Sequence, residues 1–94
     1  MSATFAWAVI TPEATVESGT CDFLVVPGAA GEIGIMAGHA ALVAGVVPGD
    51  VRVTVSGAMH TVRVGAGLVD VRENQVRVLV SAAGGAAAPA SSDV

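Results

Sequence analysis

The chain has 94 residues, among them four arginines, no lysine and eight aspartates and glutamates, for a formal net charge of −4. That length holds one small domain, which buries about 60–65 % of the surface its unfolded chain exposes and leaves one core with little room for an enclosed cleft, so a large enzyme is disfavoured. Four scattered arginines cannot form the basic cluster that displaces phosphate counterions, so no nucleic-acid partner is expected; without lysine, neither a phosphate-loop lysine nor a Schiff base is available.

From the N-terminus, residues 1–12 contain no basic residue and so lack the charged start of a secretory signal. Residues 4–10 alternate with period two, which predicts a half-buried strand with Phe5, Trp7 and Val9 on its inner face. That placement makes Trp7 a core residue rather than a stacking platform. A second strand is expected over residues 20–26, closed by Pro27-Gly28. Cys21 is the sole cysteine, so no internal disulfide and no multi-cysteine zinc site is possible, and it reads as a small buried apolar residue.

The segment from Pro27 to Leu42 carries glycines at Gly28, Gly31, Gly34 and Gly38. A dinucleotide fingerprint needs a strand, a close G-x-G pair and a helix start, whereas β-type residues follow here. Gly28 and Gly34 therefore read as places where positive φ or close backbone approach excludes a Cβ, with Gly31 and Glu32 at an exposed tip able to meet a partner. Residues 33–49 form the longest interior stretch without charge. His39, Pro48 and recurring glycines interrupt it, and a spanning helix needs about 20 apolar residues, so no membrane insertion is expected despite a mean hydropathy of +0.74. His39 reads as a polar residue bonding its own loop, and Asp50 as the solvated end of a turn.

Val51, Val53 and Val55 then alternate with Arg52, Thr54 and Ser56; residues 60–64 turn Thr61 and Arg63 outward; and Val76, Val78 and Val80 face inward over residues 75–80. Ser56-Gly57-Ala58 and Glu73-Asn74 suit hairpins, and Gly65-Ala66-Gly67 a tight link or bulge. The arginines occupy mostly outward positions, as solvated charges. From residue 83 to 94 only small residues follow, which reads as a loose tail in which Gly85 and Pro89 bracket Ala86–Ala88 too closely for a helix. Seven or more short strands with no connection long enough for a helical crossover predict an all-β fold, an antiparallel β-sandwich or flattened barrel.

Chemistry alone points to no reaction. His39 and His60 are too far apart in sequence to argue for a metal, and a triad of Ser56, His39 and Asp50 has no support from spacing. The ordered set Thr11-Pro12-Glu13, Val26-Pro27-Gly28, Gly31-Glu32-Ile33-Gly34-Ile35, Gly38-His39-Ala40, Pro48-Gly49 and Gly67-Leu68-Val69-Asp70-Val71, however, resembles the N-terminal domain of the epsilon subunit of F-type ATP synthases. The resemblance runs over about residues 4–82, and its specific part is Gly-Glu-Ile-Gly-Ile followed by Gly-His-Ala.

The resemblance implies a β-sandwich of about ten short strands at the foot of the central stalk, non-catalytic, with no cofactor or metal. It implies two partners, the gamma subunit and the ring of c subunits, and a peripheral place at the cytoplasmic face of the bacterial inner membrane. By position, Gly31, Glu32 and Ile33 would meet the c-ring, and His39, Ala40 and Leu42 would meet gamma. Ala37 and Ala41 stand where the family usually has proline, which implies a less rigid loop. Most members continue into a C-terminal helical hairpin that restrains hydrolysis and in some cases binds ATP; residues 83–94 cannot supply it, so no ATP binding is expected. A stand-alone β-sandwich adaptor and a small hydrolase are the competing readings, separated from the first by whether gamma co-purifies.

Overall fold

A computed structural model describes residues 3–84. Ten strands follow in chain order: β1 (Phe5–Ile10), β2 (Thr15–Cys21), β3 (Phe23–Gly28), β4 (Gly31–Met36), β5 (Leu42–Val46), β6 (Gly49–Val55), β7 (Ala58–Val64), β8 (Gly67–Arg72), β9 (Gln75–Val80) and β10 (Ala83–Gly84). No helix is present among the described residues, so none there is long and apolar enough to cross a membrane. The strands form one continuous hydrogen-bonded path, β10-β7-β6-β3-β5-β8-β9-β1-β2, with β4 on the free side of β3. The path folds over where Gly28 of β3 pairs with Val46 of β5, giving one layer of β4-β3-β6-β7-β10 and a second of β5-β8-β9-β1-β2.

The period-two pattern sets what lies between the layers. Phe5, Trp7 and Val9 are buried from β1, and Val76, Val78 and Val80 from β9, as expected. Leu24, Val26, Val51, Val53 and Val62 meet them from the first layer. Both expected hairpins form with positive φ at their two central residues, 50° and 84° at Ser56 and Gly57 and 49° and 62° at Glu73 and Asn74. That is the twist that suits two-residue connections between right-handed strands.

Three features depart from the sequence reading. The strand expected over residues 20–26 is two strands, one in each layer, and the chain crosses between them at Asp22. The Asp22 N–H donates to Thr54 O at 2.8 Å and its carboxylate accepts the Ser56 N–H at 2.6 Å, which holds the crossing in place. Second, β1 pairs with β9 in parallel, with Trp7 opposite Val76. No helical crossover is needed because the connection between them is the rest of the domain. Third, Ala83 and Gly84, read as the start of the tail, add a short strand to β7 opposite Val64 and Arg63. Gly65 permits this, since its N–H donates to Ala82 O at 2.8 Å and a Cβ there would stand 2.8 Å from Ser81 Oγ. The remainder of that segment, residues 85–94, lies outside the described residues.

At the open side of the sandwich, His60 of β7 meets Glu17 of β2, with Nε2 2.5 Å from Oε1. Glu17 stands opposite Val9, one row from the Trp7–Gly19 pair. The Trp7 indole covers the bare backbone of Gly19, its Nε1 3.5 Å from where a Cβ would stand.

Candidate functional site

The residues singled out from sequence fall at the two ends of one strand. Gly31, Glu32 and Ile33 begin β4, and His39, Ala40 and Leu42 follow its far end. At about 3.3 Å per residue the strand itself separates the two sets by about 17 Å, so they make two sites on one rigid support rather than a single cleft.

The first site is the hairpin that joins β3 to β4. Gly28 pairs with Gly31 across Ala29 and Ala30. A Cβ on Gly28 would lie 2.5 Å from Gly31 O, and Gly31 has φ of 128°, so both ends of the turn exclude ordinary side chains for different reasons. Glu32 follows, opposite Pro27 and pointing outward, 59 % exposed at its side chain. Its carboxylate is not free. Arg52 of β6 donates Nη1–H to Oε2 and Nη2–H to Oε1, both at 3.0 Å, reaching diagonally across β3 in a two-pronged pair. These hydrogen bonds, then the guanidinium charge, hold the Glu32 carboxyl below the usual carboxylate range, and they raise Arg52 in return. Ile33 is half-buried and packs against the core, so it anchors the hairpin. Sequence reading placed Glu32 at the tip but treated Arg52 as a solvated charge; the two are 20 residues apart and nothing local signals the pairing.

The second site is the turn after β4. The His39 N–H returns to Met36 O at 3.1 Å, and Nδ1–H donates to Ala40 O at 2.7 Å, so His39 does bond its own loop. Asn74, from the β8–β9 hairpin, ties that loop down. Its Oδ1 accepts the Gly38 N–H at 2.8 Å, its Nδ2 donates to Thr4 O at 3.1 Å, and its own carbonyl accepts the Ala6 N–H at 3.2 Å. His39 and Asn74 share a small crevice with Phe5, Met36 and Gln75. Leu42 is half-buried against the core and Ala40 is exposed. Asn74 was legible only as a turn residue; its side-chain bonds join positions 36 and 70 residues away.

Other candidates separate. Asp50 and Ser56 lie about 20 Å apart at opposite ends of β6 at the usual rise, with Asp50 bonded to Arg63 and Ser56 to Asp22, so the paper triad does not assemble. Among the described residues no group of three or more His, Cys, Asp or Glu is placed to hold a metal. Cys21 is fully buried, and burial, aided by the Asp22 charge, pushes its thiol up to about 11. The Phe23 ring lies over Gly34, 3.2 Å from a Cβ position, which accounts for the glycine by close approach.

The epsilon chain of the ATP synthase of Desulfitobacterium hafniense is 37 % identical over 83 residues, covering 88 % of this chain and 63 % of the relative. That of Rhodopseudomonas palustris is 40 % identical over 81 residues, covering 86 % and 60 %. The chain thus spans about three-fifths of the length of these curated relatives. A chain of the Euglena gracilis mitochondrial ATP synthase, solved with OSCP, F1 and c-ring, superposes with a TM-score of 0.81 at 18 % identity over 90 % of this chain and 55 % of that one. A chain from the central stalk and c-ring of the Tetrahymena thermophila mitochondrial ATP synthase superposes with a TM-score of 0.74 at 13 % identity, over 99 % and 75 %. At those identities the structural likeness is one of fold. The model of the ATP synthase delta/epsilon chain β-sandwich domain matches residues 4–86, and the chain belongs to that family.

Proposed function

We propose that this chain is a non-catalytic subunit of the central rotor stalk of an F-type ATP synthase, fastening gamma to the c-ring so that ring rotation reaches the catalytic head. The observation that carries the reading is the placement of Gly31–Glu32 and His39–Ala40 at opposite ends of β4. One strand held at the edge of the sandwich supports two separated contacts, which a coupling block requires and a single-pocket ligand binder does not. The names of the bacterial relatives support it, as do the fold neighbours drawn from ATP synthase stalk and c-ring complexes.

In this reading the family's loop acid is Glu32, and it reaches the ring already gripped by Arg52. The pair sets the direction of the carboxylate and leaves outward lone pairs for polar or basic groups on the ring loops. Gly31 and Ile33 belong to the same contact, Gly31 shaping the tip and Ile33 holding it to the core. The His39–Leu42 segment, tied down by Asn74, faces gamma. The complex would sit peripherally at the cytoplasmic face of the bacterial inner membrane.

Co-expression with the organism's own gamma and c subunits tests this. The wild-type chain should co-purify with both. A Glu32→Arg/Arg52→Glu double variant keeps the pair but moves the negative charge two strands away, so it should fold and bind gamma while losing ring association. Failure of the wild-type chain to bind either subunit would overturn the reading in favour of an adaptor with another partner.

A further inference from the structure

Register determines what the outer face of the first layer displays. Met36 of β4 stands opposite Phe23 of β3, Phe23 opposite Thr54 of β6, and Thr54 opposite Met59 of β7, so one row crosses four strands. Three of its four members are apolar and open to solvent, Met36 at 62 %, Phe23 at 38 % and Met59 at 64 %. The next row is Gly34, Val25, Arg52 and Thr61. Beyond it, toward the β3–β4 hairpin, the face turns charged, with Glu32 on β4, Asp50 on β6 and Arg63 opposite Asp50 on β7. Glu32 pairs with Arg52 and Asp50 with Arg63, and the Asp50 charge is also felt at Arg52, so the signs alternate from β4 to β7. Methionine, phenylalanine and arginine are the side chains that protein interfaces favour, and three of the large apolar ones in one open row make a patch rather than scattered exposure.

The pattern is complementary to itself. A two-fold axis lying in this face, along the strands between β3 and β6, exchanges β4 with β7 and β3 with β6 while keeping each row against its own copy. It sets Met36 on the partner's Met59, Phe23 on the partner's Thr54 and Glu32 on the partner's Arg63, twice over. Aligned sheets cross at about 30°, which displaces the outer strands by about 3–4 Å, within reach of glutamate and arginine side chains. The sign order then runs unbroken from Arg52 through Glu32 to the partner's Arg63 and Asp50, with no like charges opposed. Four strands by six residues cover about 19 by 20 Å, which with side-chain relief buries roughly 1,000 Å² in all, the lower limit of a specific interface. Each copy carries a net charge of −4, which opposes approach, so the association is weak and concentration-dependent.

We propose that the unassembled chain associates with a second copy of itself through the outer face of the first layer, as a two-fold dimer held by the methionine and phenylalanine row and by Glu32 against the partner's Arg63. The dimer does not depend on the rotor reading. Its consequence does: in that reading a paired chain has Glu32 covered, so it must separate before it meets the ring.

The test is sedimentation velocity of the purified chain over a series from micromolar to millimolar concentration, with circular dichroism to check that each variant is folded. Wild type should pass from monomer to dimer as concentration rises. Glu32→Arg sets arginine against the partner's Arg63, and Arg63→Glu sets glutamate against the partner's Glu32, so each alone should weaken association at least tenfold. An equal mixture of the two variants restores opposite charges at both positions of the two-fold and should recover association close to wild type, which neither a damaged fold nor a different interface would produce. Met36→Ser/Met59→Ser should weaken association with both ion pairs intact. Leu68→Ser, an exposed change in the second layer, should associate as wild type. A wild-type chain that stays monomeric to millimolar concentration overturns the inference. So does a dimer that persists in both charge variants, a mixture that stays monomeric, or a dimer lost on Leu68→Ser.

Discussion

The side-chain oxygen of Asn74 accepts the backbone N–H of Gly38 at 2.8 Å, a bond between residues 36 positions apart that links the turn after β4 to the β8–β9 hairpin. With its second bond to Thr4 O and φ of 62°, Asn74 serves at once as turn former and tie. Asn74→Gly keeps the backbone angle and removes both side-chain bonds, so it should cost about 1–2 kcal/mol at about 1 kcal/mol per net hydrogen bond. Asn74→Ala adds the strain of a positive φ and should cost more. Chemical denaturation measures the loss, and amide exchange should show Gly38 released in both variants.

The Glu32–Arg52 pair makes acid stability directional. Because Arg52 favours the ionised carboxylate, the folded-state pKa of Glu32 lies below its unfolded value. Its contribution is therefore present above the unfolded value of about 4.3 and fades as pH falls through the lower folded value. The stability difference between wild type and Glu32→Gln should be constant from pH 6 to 8 and vanish under acid conditions. Both groups are exposed, so the effect should be small and shrink in high salt. A difference that grows toward acid would contradict the pair.

Gly19 and Trp7 suggest a stabilising change. Gly19→Ala limits the unfolded chain and fills ordinary contact distance beside the indole, which should add about 0.5–1 kcal/mol. The Trp7 Nε1 is buried without a partner, so Gly19→Ser offers it an acceptor and should add at least as much. Thermal melts rank the variants, and a shift in tryptophan emission in the serine variant alone would report the new bond.

Two glycines separate backbone approach from backbone angle. A Cβ on Gly67 would lie 2.0 Å from Leu79 O and 2.7 Å from Val80 Cα, with no flexible atom to move aside. Gly67→Ala should therefore break the β8–β9 pairing and leave little folded protein, a loss above about 4 kcal/mol. A Cβ on Gly31 meets nothing within 4 Å, but φ of 128° disfavours any branched residue. Gly31→Val should leave the core intact, with near-normal circular dichroism, and reshape the hairpin locally. Expression yield and spectra distinguish the two outcomes.

Alternation of apolar and polar residues is a local property, and it was enough to place Phe5, Trp7 and Val9, or Val76, Val78 and Val80, inside an all-β domain. The hairpins at Ser56-Gly57 and Glu73-Asn74 were legible for the same reason, since each turn depends on the angles of two adjacent residues. Glu32 and His39 could be located at turns. Their partners could not: Arg52 reaches Glu32 because β3 lies between β4 and β6, and Asn74 meets Gly38 because β5 pairs with β8, which sets the turn before β5 beside the β8–β9 hairpin. The same holds for the crossing at Asp22, the parallel pairing of β1 with β9, and the strand added by Ala83 and Gly84. Strand neighbours are chosen by burial of both layers at once, a cooperative free energy summed over the whole chain, so no window of ten residues carries it.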